Sequence, residues 1–327
     1  MSVSKKRTLD SFFSPAPKRS KAEAEADDDA VAVVSRHAHY PFPIADLPAS
    51  LRDCMGSVPA RPGRSINDQP DLDLVYFEPY LPARIARGLF DFLRAELPFY
   101  RVEYDIKRRG VETHVRTPRW TSVFGVDDTC FFSDDGRSLD KTTNIQVHDK
   151  RYLAVPPRPI PACLDRLRRS VESATSCCFN FCLVNYYASG SDSIAFHSDD
   201  ERFLGGDPAI ASISLGARRD FLLKHKPLPP SSSSPPPVAS PARNLMQLRF
   251  PLGSGDMMLM RGKTQSCWLH SIPKRSGKNL DDGGRINITF RRAMVKDGTA
   301  NYYRYNVGTG PAHRWDRESR QMTVWTP

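Results

Sequence analysis

No run in the 327 residues approaches the roughly 18 consecutive apolar positions that a membrane-spanning helix requires. Nor does the basic start at Lys5, Lys6 and Arg7 lead into the apolar stretch of a secretory leader. Secretion and membrane insertion are therefore not expected. Cysteine is sparse: the seven residues are odd in number and form no CxxC pair, which argues against a disulfide framework and a zinc ribbon and favours a reducing compartment. What the chain does have is positive charge, 47 basic against 37 acidic residues for a net +10, a balance that favours a polyanionic partner.

The length suits one large domain with tails. Residues 1–70, rich in Ala, Ser, Pro and charge, read as a disordered tail. Within it Lys6, Leu9, Phe12 and Phe13 precede the basic group Lys18, Arg19 and Lys21. Leu9, Phe12 and Phe13 form one apolar face of a helical turn, similar to the peptide that docks on the DNA sliding clamp, although Lys6 stands where that peptide has Gln. A chance aromatic pair in a tail is the other reading.

From residue 71 the composition becomes globular. Ile85, Leu89, Phe92 and Leu93 space as a helix bounded by Pro82 and Pro98, and Leu164, Leu167 and Val171 as a second helix starting at Pro161. The rest reads as strands, at 179–187, 210–215, 221–225, 246–252, 256–260 and 285–292, whose turn signals predict an antiparallel sandwich or barrel. The Pro- and Ser-rich stretch within 226–243 is expected to be a flexible insert between two strands.

Successive strand residues point to opposite faces, so Ile286, Ile288 and Phe290 share one face of the last strand while Arg285, Asn287, Thr289 and Arg291 share the other. Two guanidinium forks around an amide and a hydroxyl suit a small dicarboxylate. The face of strand 179–187 that bears Phe181 and Leu183 ends in Asn185 and Tyr187. His197 and Asp199 point the same way from an extended segment, and His270 follows 73 positions on. Two imidazoles and one carboxylate make the facial triad that holds Fe(II) and leaves coordination sites open.

These motifs together resemble the AlkB-type dioxygenases that use Fe(II) and 2-oxoglutarate, most nearly their nuclear DNA-repair branch, the AlkB homologue 2-like proteins. The resemblance rests on Thr117-Pro118-Arg119, Phe179-Asn180-Phe181, Asn185-x-Tyr187, His197-x-Asp199-Asp200-Glu201, Ser212 to Gly216, Arg219-Asp220-Phe221, His225-Lys226, Trp268-x-His270 and Arg285-x-Asn287-x-Thr289-x-Arg291. It implies a mainly β fold with flanking helices built on a double-stranded β-helix, a jelly roll, spanning residues 71–295, with 296–327 an extension of unassigned role.

It further implies that His197, Asp199 and His270 bind iron, that Arg285 pairs with the distal carboxylate of 2-oxoglutarate, and that Asn185, Tyr187, Asn287, Thr289 and Arg291 complete that pocket. Oxygen and 2-oxoglutarate would be consumed to oxidise a methyl group on a base nitrogen, N1 of adenine or N3 of cytosine, releasing succinate and formaldehyde. Asp200 would meet the cationic base or orient the iron ligands. His197 and Phe131 or Phe132 would stack on the flipped base, although an insertion between residues 126 and 152 clouds that register. Residues 101–119 carry six basic against three acidic groups, and Arg108, Arg109 and Arg119 would contact phosphates while the stretch 106–111 supplies a finger into the base stack.

The expected protein is thus a nuclear, monomeric DNA demethylase with no membrane association. RNA demethylation by the same chemistry and a noncatalytic clamp or chromatin adaptor are the alternatives.

Overall fold

The computed structural model describes residues 34–108, 110–147, 155–227, 247–275, 284–296 and 298–326. Its core is two antiparallel sheets of eleven strands, numbered here in chain order: β1 (Arg64–Ile66), β2 (Leu74–Phe77), β3 (Trp120–Gly125), β4 (Phe181–Tyr187), β5 (Ile194–His197), β6 (Ile210–Gly216), β7 (Arg219–His225), β8 (Gln247–Leu252), β9 (Met257–Met260), β10 (Trp268–Ile272) and β11 (Arg285–Arg291). The major sheet runs β1-β2-β9-β6-β11-β4-β3 and the minor sheet β5-β10-β7-β8. This non-sequential order in two antiparallel sheets is a sandwich, as the strand pattern predicted, and of the jelly-roll kind that the resemblance implied.

Helix α1 (Ala83–Glu96) starts after Pro82 and buries Ile85, Ala86, Leu89, Phe90 and Leu93. Phe90 rather than Phe92 completes the apolar stripe, and Phe92 sits half-buried at its edge. Helix α2 (Ala162–Thr175) buries Cys163, Leu164, Leu167 and Val171, and Ser176 ends it in a left-handed conformation. Both helices pack on the face of the major sheet that carries Ile286, Ile288 and Phe290, in one core cluster. The opposite face looks into the space between the sheets, which β11 occupies centrally. Its neighbours place Tyr187 beside Arg285, Asn185 and Ser214 beside Asn287, and Leu183 and Ser212 beside Thr289.

The expected tail boundary at residue 70 is corrected. Ile44 and Leu47 are buried, Arg166 pairs with the Asp46 carboxylate at 2.8 Å, and the Trp268 indole donates to the Pro70 carbonyl at 3.1 Å, so residues 34–70 belong to the folded body. A few well-placed apolar side chains anchor this otherwise polar segment. The clamp-like Leu9, Phe12 and Phe13 lie outside the described residues, as does 228–246, which covers most of the expected insert. Its flanks are the paired strands β7 and β8, joined in register from Arg219 with Leu252 to Lys224 with Gln247.

The chain beyond 295, whose role the sequence left unassigned, is folded onto the body. It forms helix α3 (Thr299–Asn306) and a hairpin of His313–Asp316 with Gln321–Val324. Tyr303 is fully buried, and its hydroxyl donates to the Gly125 carbonyl at 2.7 Å. No helix among the described residues is long and apolar enough to cross a membrane.

Candidate active site

His197 ends β5 directly across from His270 on β10, and Asp199 follows two residues later with its side chain turned the same way. The two rings lie 4.2 Å apart. Asp199 Oδ1 is 3.8 Å from His197 Nε2, and Oδ2 is 3.8 Å from His270 Nε2. One ligand atom from each of the three residues falls within 4.8 Å of the others, a spacing that a metal ion can bridge. His197 Nδ1 lies 2.9 Å from the Ala195 carbonyl, a bond that leaves Nε2 with its lone pair toward the metal position.

The environment sets the protonation the ligands need. Burial drives the His270 imidazole down to about 3, so it stays neutral at ordinary pH. Burial alone would raise the Asp199 carboxyl, but the Arg291 guanidinium beside it outweighs that and holds the group below its usual value. Arg291 donates to Asp199 Oδ2 at 3.0 Å, and the buried Gln265 accepts from the Asp199 amide at 2.9 Å. The carboxylate is thus fixed from both its head and its backbone.

The triad opens onto a cavity of about 780 Å³ between the two sheets. The predicted polar face of β11 is its wall, with Arg285, Asn287, Thr289 and Arg291 all lining it, together with Asn185 and Tyr187. Arg285 is 1% exposed. Its Nη2 donates to Ser214 Oγ at 2.8 Å and its guanidinium lies over the Tyr187 ring, yet Nε and Nη1 have no hydrogen-bond partner among the described residues. Burial lowers this guanidinium to about 10. A buried cation with two unspent donors is a socket for a carboxylate, so the residues present fit a dicarboxylate cosubstrate. Asn287 and Thr289 are committed elsewhere. The Asn287 amide donates to Ser212 Oγ and the Ile213 carbonyl, and the Thr289 hydroxyl to the Leu183 carbonyl, so both brace the wall.

Three expectations about the substrate side change. Asp200 faces away from the cavity and takes Lys226 Nζ at 2.8 Å, because alternate residues of an extended segment point to opposite sides. The same alternation, carried one step past His197 and Asp199, puts Glu201 in the cavity, where Oε2 is buried without a partner and burial raises the carboxyl above its usual value. Phe131 and Phe132 belong to a hairpin outside the cavity, where Phe132 packs edge-on against His37 at 5.3 Å.

Arg119 is also displaced from its expected phosphate-binding role. It lines the cavity and donates through Nε to Asn185 Oδ1 at 3.0 Å. Arg108 closes the first strand of the hairpin Glu103–Arg108 with Val111–Arg116, and Arg109 lies outside the described residues. The reading of residues also missed Tyr302. Arg291 donates to the Tyr302 hydroxyl while its guanidinium lies 5.1 Å over that ring, which ties the C-terminal helix to the metal centre.

Residues 73–291 match the family model of the 2OG-Fe(II) oxygenase superfamily. The chain is 31% identical over 229 residues to the DNA oxidative demethylase ALKBH2 of Arabidopsis thaliana, covering 68% of this chain and 67% of that protein. It is 39% identical over 143 residues to the protein of the same name from Homo sapiens, covering 44% of this chain and 51% of that protein. A match of 38% over 125 residues joins it to the alpha-ketoglutarate-dependent dioxygenase alkB homolog 3 of Mus musculus, covering 38% of this chain and 40% of that protein. The His197, Asp199 and His270 cluster, the buried Arg285 in the same cavity and these matches agree: the chain belongs to the 2OG-Fe(II) oxygenase superfamily and is an AlkB-type dioxygenase.

Proposed function

We propose that this dioxygenase removes methyl groups from N1-methyladenine and N3-methylcytosine in DNA, releasing formaldehyde and succinate. The observation that carries the reading is that one cavity holds both the His197, Asp199 and His270 triad and the buried guanidinium of Arg285, two of whose nitrogens have no partner among the described residues. Iron, 2-oxoglutarate and oxygen together supply hydroxylation of a C–H bond. The protein's part is binding and orientation.

Arg285 pairs with the distal carboxylate of 2-oxoglutarate, over the Tyr187 ring, while Asn185 and Arg119 hold each other in the adjoining wall. Arg291 keeps Asp199 ionised and aimed. Glu201 offers a carboxylate to a base that methylation has made cationic, the role first assigned to Asp200. Outside the cavity, the basic residues of the hairpin 103–116, four against three acidic, would meet phosphates, and Val111, 65% exposed near its tip, is the finger that fills the stack. The DNA substrate class is supported by the likeness to the DNA oxidative demethylases of Arabidopsis thaliana and Homo sapiens.

Formaldehyde measured from a methylated duplex, with iron and with or without 2-oxoglutarate, tests this. Turnover that requires 2-oxoglutarate and vanishes in Asp199→Ala is expected. No formaldehyde from any methylated DNA, or a preference for methylated RNA in direct competition, refutes it. The nucleus is the proposed location, with Leu9, Phe12 and Phe13 docking on the sliding clamp. Retention of the clamp by the full chain, lost in Phe12→Ala with Phe13→Ala, checks that docking, and retention by the double variant contradicts it.

A further inference from the structure

The C-terminal helix lies beyond residue 291, where the superfamily match ends, yet it forms one side of the active-site cavity. Gly298, Asn301, Tyr302, Tyr305 and Asn306 line that cavity, spaced i, i+3, i+4, i+7 and i+8, which is a single stripe of a helix. The adjacent stripe, Thr299, Ala300 and Tyr303, is buried against the fold. Position is fixed at both ends of the stripe. The Tyr302 hydroxyl accepts from Arg291 and its ring meets Phe181 and Phe203 edge-on, while the Thr121 hydroxyl donates to the Asn306 carbonyl.

The aromatic rings around the cavity are not equivalent. Tyr187, Phe203 and Phe221 are 2–5% exposed, and Tyr302 is spent on Arg291 and its neighbours. Tyr305 is 69% exposed and makes no ring contact with any described residue. Two further apolar side chains, Met294 and Val295, are each 47% exposed, and Val295 lines the same cavity. A helix thus carries an aromatic with an uncovered face at the rim of a site where His197 lines the cavity but its expected stacking partners, Phe131 and Phe132, lie elsewhere.

We infer that the C-terminal helix is the substrate-reading wall of the active site and that Tyr305 is its specificity-determining residue, stacking on the planar N-methylated base as it enters. This rests on the nucleobase reading proposed above. A stacked aromatic contributes through its π-face, so another aromatic can replace it and alanine cannot.

The test uses the full-length chain with Mn(II) in place of iron and follows binding of fluorescent oligonucleotides, methylated and unmethylated, by anisotropy. Tyr305→Ala is expected to weaken binding of the methylated strand about ten-fold or more, the value of one lost base stack, and to erase most of the preference over the unmethylated strand. Tyr305→Trp is expected to restore both. In the iron-loaded enzyme the KM for methylated DNA should rise in Tyr305→Ala by a larger factor than kcat falls. The exposed position means that the variants should melt with the wild type, which calorimetry verifies. Wild-type affinity in Tyr305→Ala, or failure of Tyr305→Trp to rescue, overturns the inference while the wild type still releases formaldehyde. A wild type that releases none overturns the underlying reading and this one with it.

Discussion

Arg285 concentrates the chemistry of the cosubstrate in a single side chain. It is a buried cation that donates to the Ser214 hydroxyl and keeps Nε and Nη1 without a partner among the described residues. Such a group destabilises the ligand-free protein and is offset when a carboxylate arrives. Arg285→Gln should therefore raise the KM for 2-oxoglutarate about 10- to 150-fold, equivalent to the ~1.5–3 kcal/mol of a charge-assisted hydrogen bond. The same variant, free of ligand, should melt at or above the wild type. A lower melting temperature with an unchanged KM would mean that Arg285 is a structural residue and not the socket. Asp200 and Glu201 show how one residue of register redirects a role, since the adjacent carboxylates differ only in the side of the segment they face.

The cavity was most legible from the sequence where an element had a strict period. The alternation along β11 separates Ile286, Ile288 and Phe290 from Arg285, Asn287, Thr289 and Arg291, and the structure sends the first set to the core and the second to the cavity. Helix α3 gave no comparable signal. Its sequence, TANYYRYN, places large aromatic or polar residues on every side, and its partners at Gly125, Arg158 and Arg291 lie far away in the chain. Only tertiary contact distinguishes a buried tyrosine there from an exposed one. Tyr303 is the pivot, with its ring in the core and its hydroxyl bonded to Gly125 and within reach of Arg158. Tyr303→Ala should cost about 3–5 kcal/mol, the range for deleting a buried aromatic, read as a lower urea midpoint. A change below about 1 kcal/mol would show that the helix is loosely held.

At the scale of the molecule the N-terminal boundary was expected too late for one reason, that composition averages over residues while burial selects a few of them. Between 34 and 70 only a handful of side chains, Tyr40, Ile44, Leu47 and Ile66 among them, enter the core, and the surrounding Pro, Ala and Ser disguise them. Deleting residues 1–33 should therefore leave the melting temperature and turnover unchanged. Deleting residues 1–70 should remove β1 together with Ile44 and Leu47 and leave a chain that unfolds or aggregates. Equal stability of the two truncations would restore the longer tail. The positive charge of the chain also gains locations: the first 30 residues sum to zero, Arg285 and Arg291 are buried in the active site, and Arg119 is bonded within it.

The central claim, that one cavity couples 2-oxoglutarate breakdown to removal of a methyl group from DNA, is tested most directly by counting both products at once. Carbon dioxide from carboxyl-labelled 2-oxoglutarate and formaldehyde from an N1-methyladenine duplex would be measured in the wild type and in Asp199→Ala. Equal amounts of the two in the wild type, and loss of both in the variant, are expected. Formaldehyde without matching carbon dioxide, or product formation undiminished in Asp199→Ala, would contradict it.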